Sequence, residues 1–202
     1  IYLSVVVALA LSVVVFMLLP HFLSSLVGRF TDNTLILNTL EGVIKLVIFM
    51  TYIILISRMK DIQRVFEYHG AEHKSIACYE SGAELTPANA AKCSRLHPRC
   101  GTSFLLIVMI VSILIYACLP WKNTSFGLRI VYRLLLLPVV AGVSYEILKF
   151  AGRSKNKCVR ILTMPGLLLQ KFTTREPDES QLEVAIASLK AVLTGNKEDD
   201  KW

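Results

Sequence analysis

The sequence predicts an all-α polytopic membrane protein with four transmembrane helices, a helical cytoplasmic loop and an amphipathic C-terminal helix. Of its 202 residues, 54% are apolar and 18% are charged, whereas soluble domains average about 45–50% and about 25%. This composition excludes a disordered chain, which requires the opposite bias. The apolar residues concentrate in four stretches. The chain therefore divides into transmembrane helices 1 and 2 (1–57), a loop (58–103), transmembrane helices 3 and 4 (104–150) and a tail (151–202).

The four stretches differ in how well they satisfy the length of a membrane span, which is about 20 mainly apolar residues. Ile1–Leu19, which ends at Pro20, and Leu35–Ile56 satisfy it, whereas Phe104–Leu119 is 16 residues long and needs flanking residues. Gly127–Phe150 carries charges near both ends. It indicates either a fourth span, which we favour, or a buried soluble helix. Because the chain begins with isoleucine rather than methionine, we expect a preceding segment.

Basic residues predict the orientation of the spans. Ser57–Ser103 contains seven Lys and Arg residues and the tail from Lys149 contains ten, whereas the loops near 28–34 and 120–126 contain one each. The positive-inside rule therefore places the loop and the tail in the cytoplasm. The net charge of +7 then lies largely beside an anionic leaflet. The sequence has no basic stripe interleaved with aromatic residues, so nucleic-acid binding is not expected. Cytoplasmic cysteines remain reduced, so no disulfide framework is expected.

The loop contains an H-x-x-E-H sequence on a predicted helix that begins at Asp61 and stops at Gly82. His69 and His73 lie one turn apart on the apolar face of this helix. Two such imidazoles bind zinc in inverzincins, where the neighbouring carboxylate, here Glu72, is the general base. The alternative is a buried histidine pair that donates hydrogen bonds to nearby carbonyl or carboxylate groups.

A second pair of metal-ligating residues follows a short helix predicted to start at Thr86–Pro87. His97 and Cys100 have the H-x-x-C spacing of a metal clip. Together with His69 and His73 they suit zinc, as a closed structural site if all four bind and as an open, reactive site if one is absent. Glu146 is a further candidate ligand, because inverzincins take a distant glutamate; it could instead pair with Lys149 or Arg153.

Charged residues inside the predicted spans indicate a polar contact between helices. Glu41 and Lys45 are spaced i, i+4 and can pair along one helix. Glu41 and Arg133 each lie six residues, about 9 Å, inside the outer ends of their spans. We therefore expect a contact between Glu41 and Arg133 that joins the second and fourth spans.

The tail predicts an amphipathic helix that needs a partner. Met164–Gly166 is predicted to interrupt helical structure, and Ser180–Glu183 has the pattern of a capping box. The apolar positions of the helix, which would end at Gly195, are Leu182, Ile186, Leu189 and Leu193. Its apolar face would dock on the long loop or on another protein.

Several strings together resemble the bacterial YqhQ-like membrane protein family. They are Tyr68–Lys74, His97–Phe104, Leu137–Gly142, Ser144–Glu146, Pro165–Gly166, Gln170 and Thr173–Pro177, and Glu41–Gly42 also resembles the family pattern. The family is labelled a predicted metal-dependent enzyme, so the resemblance implies a bacterial inner-membrane protein with a metal site. The neighbourhood of its genes to genes for translation factors hints at protein biogenesis.

Two functions follow from these observations. The first is a zinc-dependent hydrolase acting at the membrane interface, with Glu72 as general base and His69, His73, His97, Cys100 or Glu146 as ligands. The second is a non-catalytic subunit of a membrane-protein complex, in membrane-protein biogenesis or translocation. In that case the histidines and the cysteine are structural, and the basic loop and the C-terminal helix dock the partner. The residues alone leave the enzyme question open.

Overall fold

Helices form the regular structure of the protein in a computed structural model that describes residues 2–120, 124–153 and 157–194. They are α1 (Tyr2–Val13), a π-helical turn (Val14–Leu18), α2 (Leu19–Val27), α3 (Thr34–Ile56), α4 (Lys60–Glu80), α5 (Pro87–Ala90), α6 (Gly101–Ala117), α7 (Phe126–Arg153), α8 (Lys157–Thr173) and α9 (Glu179–Val192). The described residues contain no strand, which confirms the all-α prediction. The chain forms two compact units, Ile1–Tyr52 with Leu105–Ile147 and Ile53–Phe104 with Leu148–Trp202.

Within the described residues, three helices are long and apolar enough to cross a membrane: Tyr2–Val27, Thr34–Ile56 and Phe126–Gly152. The remaining apolar helix, Gly101–Ala117, has 17 residues and is shorter. Large apolar side chains on the long helices are exposed, among them Leu3, Leu134 and Leu135. Apolar surface of this extent is unfavourable in water, so the helices indicate association with a membrane.

The first helix is longer than the sequence predicted and continues through Pro20 to Val27. Proline lacks an N–H group, and its ring clashes with the carbonyl four residues earlier. The π-helical turn at Val14–Leu18 ends two residues before Pro20, and π-bulges are among the distortions found where a helix departs from its regular hydrogen-bond pattern. The expected end at Pro20 was therefore wrong by about two turns.

The core of the first unit depends on close helix contacts and on polar side chains that satisfy backbone carbonyls. A Cβ atom on Gly42 would lie 2.5 Å from Ile113 Cγ1, so only glycine allows α3 and α6 to approach this closely. Asn38 donates to the carbonyls of Ala117 and Leu119 where α6 ends. These bonds satisfy carbonyls that a helix end leaves without a partner.

In the second unit, α9 packs on α4 and buries the apolar face that the sequence left without a partner. Leu182 and Ile186 form one cluster with Ala71, Cys78 and Ala90. The loop helix therefore covers Leu182 and Ile186 of this face. The predicted end of α9 at Gly195 lies outside the described residues.

Three predicted helix boundaries of the second unit were wrong. Helix α4 begins at Lys60, with Asp61 in its first turn rather than at the cap. Helix α9 begins two residues early, because Asp178 and Gln181, not Ser180, form a reciprocal capping box. Helix α8 runs through Pro165 instead of breaking. Two contacts offset the cost of an internal proline: Gly166 packs closely against Ser103, and Gln170 forms buried hydrogen bonds.

Candidate metal centre

Helix α4 places His69 and His73 side by side. Their ring centroids lie 4.4 Å apart with an interplanar angle of 65°. His73 is buried, with 3% of its surface exposed, and His69 is half-buried. The i, i+4 spacing on one helical face explains this proximity.

Backbone carbonyls orient both imidazole rings. His69 Nδ1 lies 2.8 Å from the carbonyl oxygen of Thr173, and His73 Nδ1 lies 2.6 Å from that of Arg95. A carbonyl only accepts, so each Nδ1 carries the proton and donates it. A neutral ring with this Nδ1–H has its lone pair on Nε2, as in most metal-binding histidines, whereas a protonated ring donates from both nitrogens.

Cys100 completes a cluster of three ligand atoms. It precedes α6, and its Sγ lies 3.2 Å from His69 Nε2 and 3.3 Å from Thr102 Oγ1. One ligand atom from each of His69, His73 and Cys100 lies within 4.8 Å of the other two. Two imidazoles and a thiol are borderline-soft ligands, so this group could hold a metal ion.

The local hydrogen bonds favour the ionised thiol. Burial opposes ionisation, but hydrogen bonds from His69, His73 and Thr102 outweigh it and lower the pKa of Cys100 to about 5. The hydrogen bond with the same thiol is also the main reason why the pKa of His69 is raised, although burial opposes this shift. The thiolate is the form of cysteine that binds metals, so the lowered pKa of Cys100 is compatible with metal binding.

The carbonyl that holds His69 belongs to a segment packed closely against α4. A Cβ atom on Gly70 would lie 2.0 Å from the carbonyl oxygen of Arg175, whose N–H donates to the Phe66 carbonyl at 2.8 Å. The glycine between the two histidines therefore has a structural reason. Sequence reasoning missed this role, although the string Thr173–Pro177 was part of the family resemblance.

Arg95 and Gln170 support the cluster and were also missed as site residues. The Arg95 guanidinium donates to the carbonyl and hydroxyl of Thr174 at 2.6 and 2.7 Å, so the residue whose carbonyl holds His73 is itself anchored. Gln170 is fully buried and bonds both the N–H and the carbonyl of His97. Buried amide groups paired in this way hold a loop in one conformation.

His97 lies beside the cluster but outside the group of three ligand atoms. Its ring centroid is 5.8 Å from that of His73, and its Nε2 lies 3.4 Å from Glu80 Oε2. Burial lowers the pKa of His97, and the nearby Glu80 carboxylate opposes this shift. His97 therefore lies next to the three candidate ligands, with its ring facing the Glu80 carboxylate.

The two candidate glutamates also lie outside that group. Glu72 is exposed and lines a groove between α4 and α9 together with Tyr68 and Ile76. Glu146 belongs to the first unit and is exposed. Their catalytic and ligand roles stay predictions.

In the first unit, the structure confirms the expected Glu41–Arg133 contact. Arg133 Nη1 and Lys45 Nζ each donate to Glu41 Oε1 at 2.6 Å, and His21 Nδ1 lies 3.5 Å from Oε2. Glu41 is 1% exposed. The contact joins α3 to α7, as predicted.

Comparison with known proteins agrees with the resemblance in the sequence. A family profile described as "Protein of unknown function (DUF1385)" matches residues 1–195. The "Uncharacterized protein YqhQ" of Bacillus subtilis (strain 168) is 41% identical over 180 residues, which cover 89% of this chain and 56% of that protein. The chain thus spans about half the length of this relative. No solved structure matches. The profile covers nearly the whole chain, and the protein therefore belongs to the YqhQ-like family of proteins of unknown function, DUF1385.

Proposed function

We propose that this protein is a bacterial inner-membrane protein with four spans, and that its second unit is a zinc-dependent hydrolase working at the cytoplasmic interface. In this topology α6 is the short third span, extended by flanking residues. The long apolar helices and the basic residues of Ser57–Ser103 and the tail support this orientation. The substrate class is a membrane protein or a lipid head group.

One observation carries the zinc proposal. Two imidazoles whose Nδ1 atoms are held by backbone carbonyls share a small volume with a thiol of lowered pKa. Ligand atoms of one tetrahedral zinc lie about 3.3–3.7 Å apart, given bonds of about 2.0–2.3 Å, so small side-chain rotations bring the three into position. Three protein ligands are typical of catalytic rather than structural zinc.

The chain's own groups have separate roles in this proposal. His69, His73 and Cys100 would hold the ion, and the carbonyls of Thr173 and Arg95 would keep each Nε2 available to it. The chemistry that a bound zinc ion would supply is Lewis acidity and a lowered pKa of water. Glu72 is the candidate proton acceptor, because it neighbours His73 on α4 and its carboxylate is exposed.

A second candidate function, a non-catalytic subunit of a membrane-protein complex, is favoured by the groove between α4 and α9. This groove has a volume of about 400 Å³ and is lined by Tyr68, Ile76, Val184, Leu189 and Val192 together with Glu72. Val192 and Val184 are 74% and 51% exposed. Glu72 would then be a rim residue of a docking surface, and the histidine cluster would be structural.

Metal content of the purified full chain tests the zinc proposal. We expect about one zinc ion per chain in the wild type and loss of it in His73→Ala and Cys100→Ser, since each substitution removes one of three ligands. His21→Ala, which removes a histidine of the first unit, is the matched control and keeps the metal. A wild type without metal, or equal loss in the control, contradicts the proposal.

Cobalt substitution distinguishes the two functions. If the fourth position is open, added azide changes the visible spectrum of the cobalt protein, and His97→Ala leaves the cobalt site intact. If His97 is a fourth ligand, azide has no effect and His97→Ala loses the metal. The second result rejects the hydrolase and favours the structural role.

A further inference from the structure

The polar cluster of the first unit carries more positive than negative charge. One oxygen of the buried Glu41 carboxylate accepts 2.6 Å hydrogen bonds from both Lys45 and Arg133. Lys45, Arg133 and Glu41 together leave a net charge of +1. Arg129, which lies 3.4 Å from the His21 ring that contacts Glu41, adds a further positive charge. Uncompensated buried charge is costly, so the cluster favours an additional anion.

A cavity beside this cluster offers room for the anion. Its volume is about 130 Å³, enough for several water molecules at about 30 Å³ each, and so for a phosphate group. Its polar lining residues are Asn38, Glu41, Lys45, Ser112, Tyr116 and Arg133. The side chains of Lys45 and Arg133 are 27% and 16% exposed, so the cavity can be reached from outside.

The cavity also borders donors that the protein does not use. Arg133 Nε is buried and has no hydrogen-bond partner among the described residues. The Lys45 ammonium group can donate three hydrogen bonds, and Glu41 accepts one of them. A buried donor without a partner is destabilising, and an acceptor in the cavity would satisfy it.

We propose that this cavity binds the phosphate group of an anionic phospholipid. A phosphate accepts hydrogen bonds in several directions at once and matches arginine well. Glu41 lies seven residues after the start of α3, about 10 Å along the helix, a depth that a lipid next to these helices can reach. The proposal rests on the membrane setting but is independent of the metal centre, which lies in the other unit.

Thermal unfolding of the delipidated full chain in neutral detergent tests this binding. The lipid probes are phosphatidylglycerol, which is anionic, and phosphatidylcholine, which is zwitterionic. The third probe is inorganic phosphate, which is compared with chloride at equal ionic strength. We expect phosphatidylglycerol to raise the Tm of the wild type, and Lys45→Gln to weaken the apparent affinity about tenfold through the loss of one charge-assisted contact. Arg29→Gln removes the same charge from an exposed position and is the matched control.

A second variant removes the space rather than the charge. Ser112→Leu fills the cavity, keeps all three charged residues and should also abolish the response to phosphatidylglycerol. A response to phosphatidylglycerol alone identifies the lipid head group as the ligand, and an equal response to inorganic phosphate identifies a free phosphate. No response to either, or equal weakening in Lys45→Gln and Arg29→Gln, overturns the proposal.

Discussion

Gly70 determines whether the segment that orients His69 can pack on α4. The Arg175 carbonyl occupies the place where a side chain at this position would begin. The same segment donates from Arg175 to Phe66 and presents the Thr173 carbonyl to the imidazole. We therefore expect a substitution here to change both the packing of this segment and the orientation of His69.

We expect Gly70→Ala to destabilise the second unit by about 3 kcal/mol, at the upper end of overpacking costs, and to lower the metal content. Near-ultraviolet circular dichroism on heating and metal analysis measure the two effects. Gly142→Ala is the matched control, since a Cβ atom there meets nothing within 4 Å. Unchanged stability and metal content in Gly70→Ala would contradict the close packing.

The lowered pKa of Cys100 has a direct consequence for the metal-free protein. The thiolate should persist as the pH falls from the ordinary cysteine value of about 8.5 and be lost only as the pH approaches about 5. The difference in ultraviolet thiolate absorbance between wild type and Cys100→Ser measures this titration. Cys93→Ser should retain the thiolate signal, and identical curves for wild type and Cys100→Ser would show that the thiol is not ionised.

The residues of the metal centre differ in how far a sequence reveals them. The pairing of His69 with His73 follows from helical periodicity, which is local. The approach of Cys100 to His69 requires the loop to fold back over 31 positions, and no periodicity reports that. The carbonyls of Thr173 and Arg95 have no side-chain signature, because every residue carries a backbone acceptor.

At the scale of elements, the presence of each helix was predicted more reliably than the residues at which it begins and ends. Periodicity extends over many residues, whereas an end depends on a few local bonds. Ser180 matches a capping-box pattern, but the cap is Asp178. Its carboxylate accepts from the Gln181 N–H at 2.8 Å, and its own N–H donates to Gln181 Oε1 at 2.9 Å. Pro20 and Pro165 look like terminators, yet a π-helical turn and tertiary packing retain the helix in each case.

The two candidate caps of α9 can be separated experimentally. Asp178→Ala removes the acceptor for the first turn, so we expect amide hydrogen exchange there to rise about fivefold. Ser180→Ala retains that acceptor and should change exchange little, although it loses its own bond to Asp178. Larger exchange in Ser180→Ala than in Asp178→Ala would restore the predicted cap.

At the scale of the whole molecule, composition predicted the class of the fold, and charge asymmetry supplied the proposed orientation. Helix length supports three spans and leaves the 17-residue α6 as the element on which the fourth depends. The apolar face of α9 indicated that it needs a partner, but neither hydropathy nor charge could choose between the long loop and another protein. The contact between α9 and α4 joins residues about a hundred positions apart, so local patterns do not identify it.

Cysteine labelling from outside the cell tests the four-span topology. In a chain with its native cysteines replaced, Ser125→Cys should react with a membrane-impermeant maleimide in intact cells, since its loop is external in this topology. Ala83→Cys, in the basic loop, should react only after the membrane is permeabilised. Both positions are exposed, and external labelling of Ala83→Cys would reject the orientation.

The bond between His69 and Thr173 joins positions 104 residues apart, which affects when the metal centre can form during synthesis. A ribosome makes the chain from the N-terminus, and domains fold as their residues emerge. His69, His73 and Cys100 are all synthesised well before Thr173, the residue that orients the first histidine. The nascent chain therefore carries His69 without its orienting carbonyl until Thr173 has emerged, so the cluster is completed well after all three candidate ligands have been synthesised.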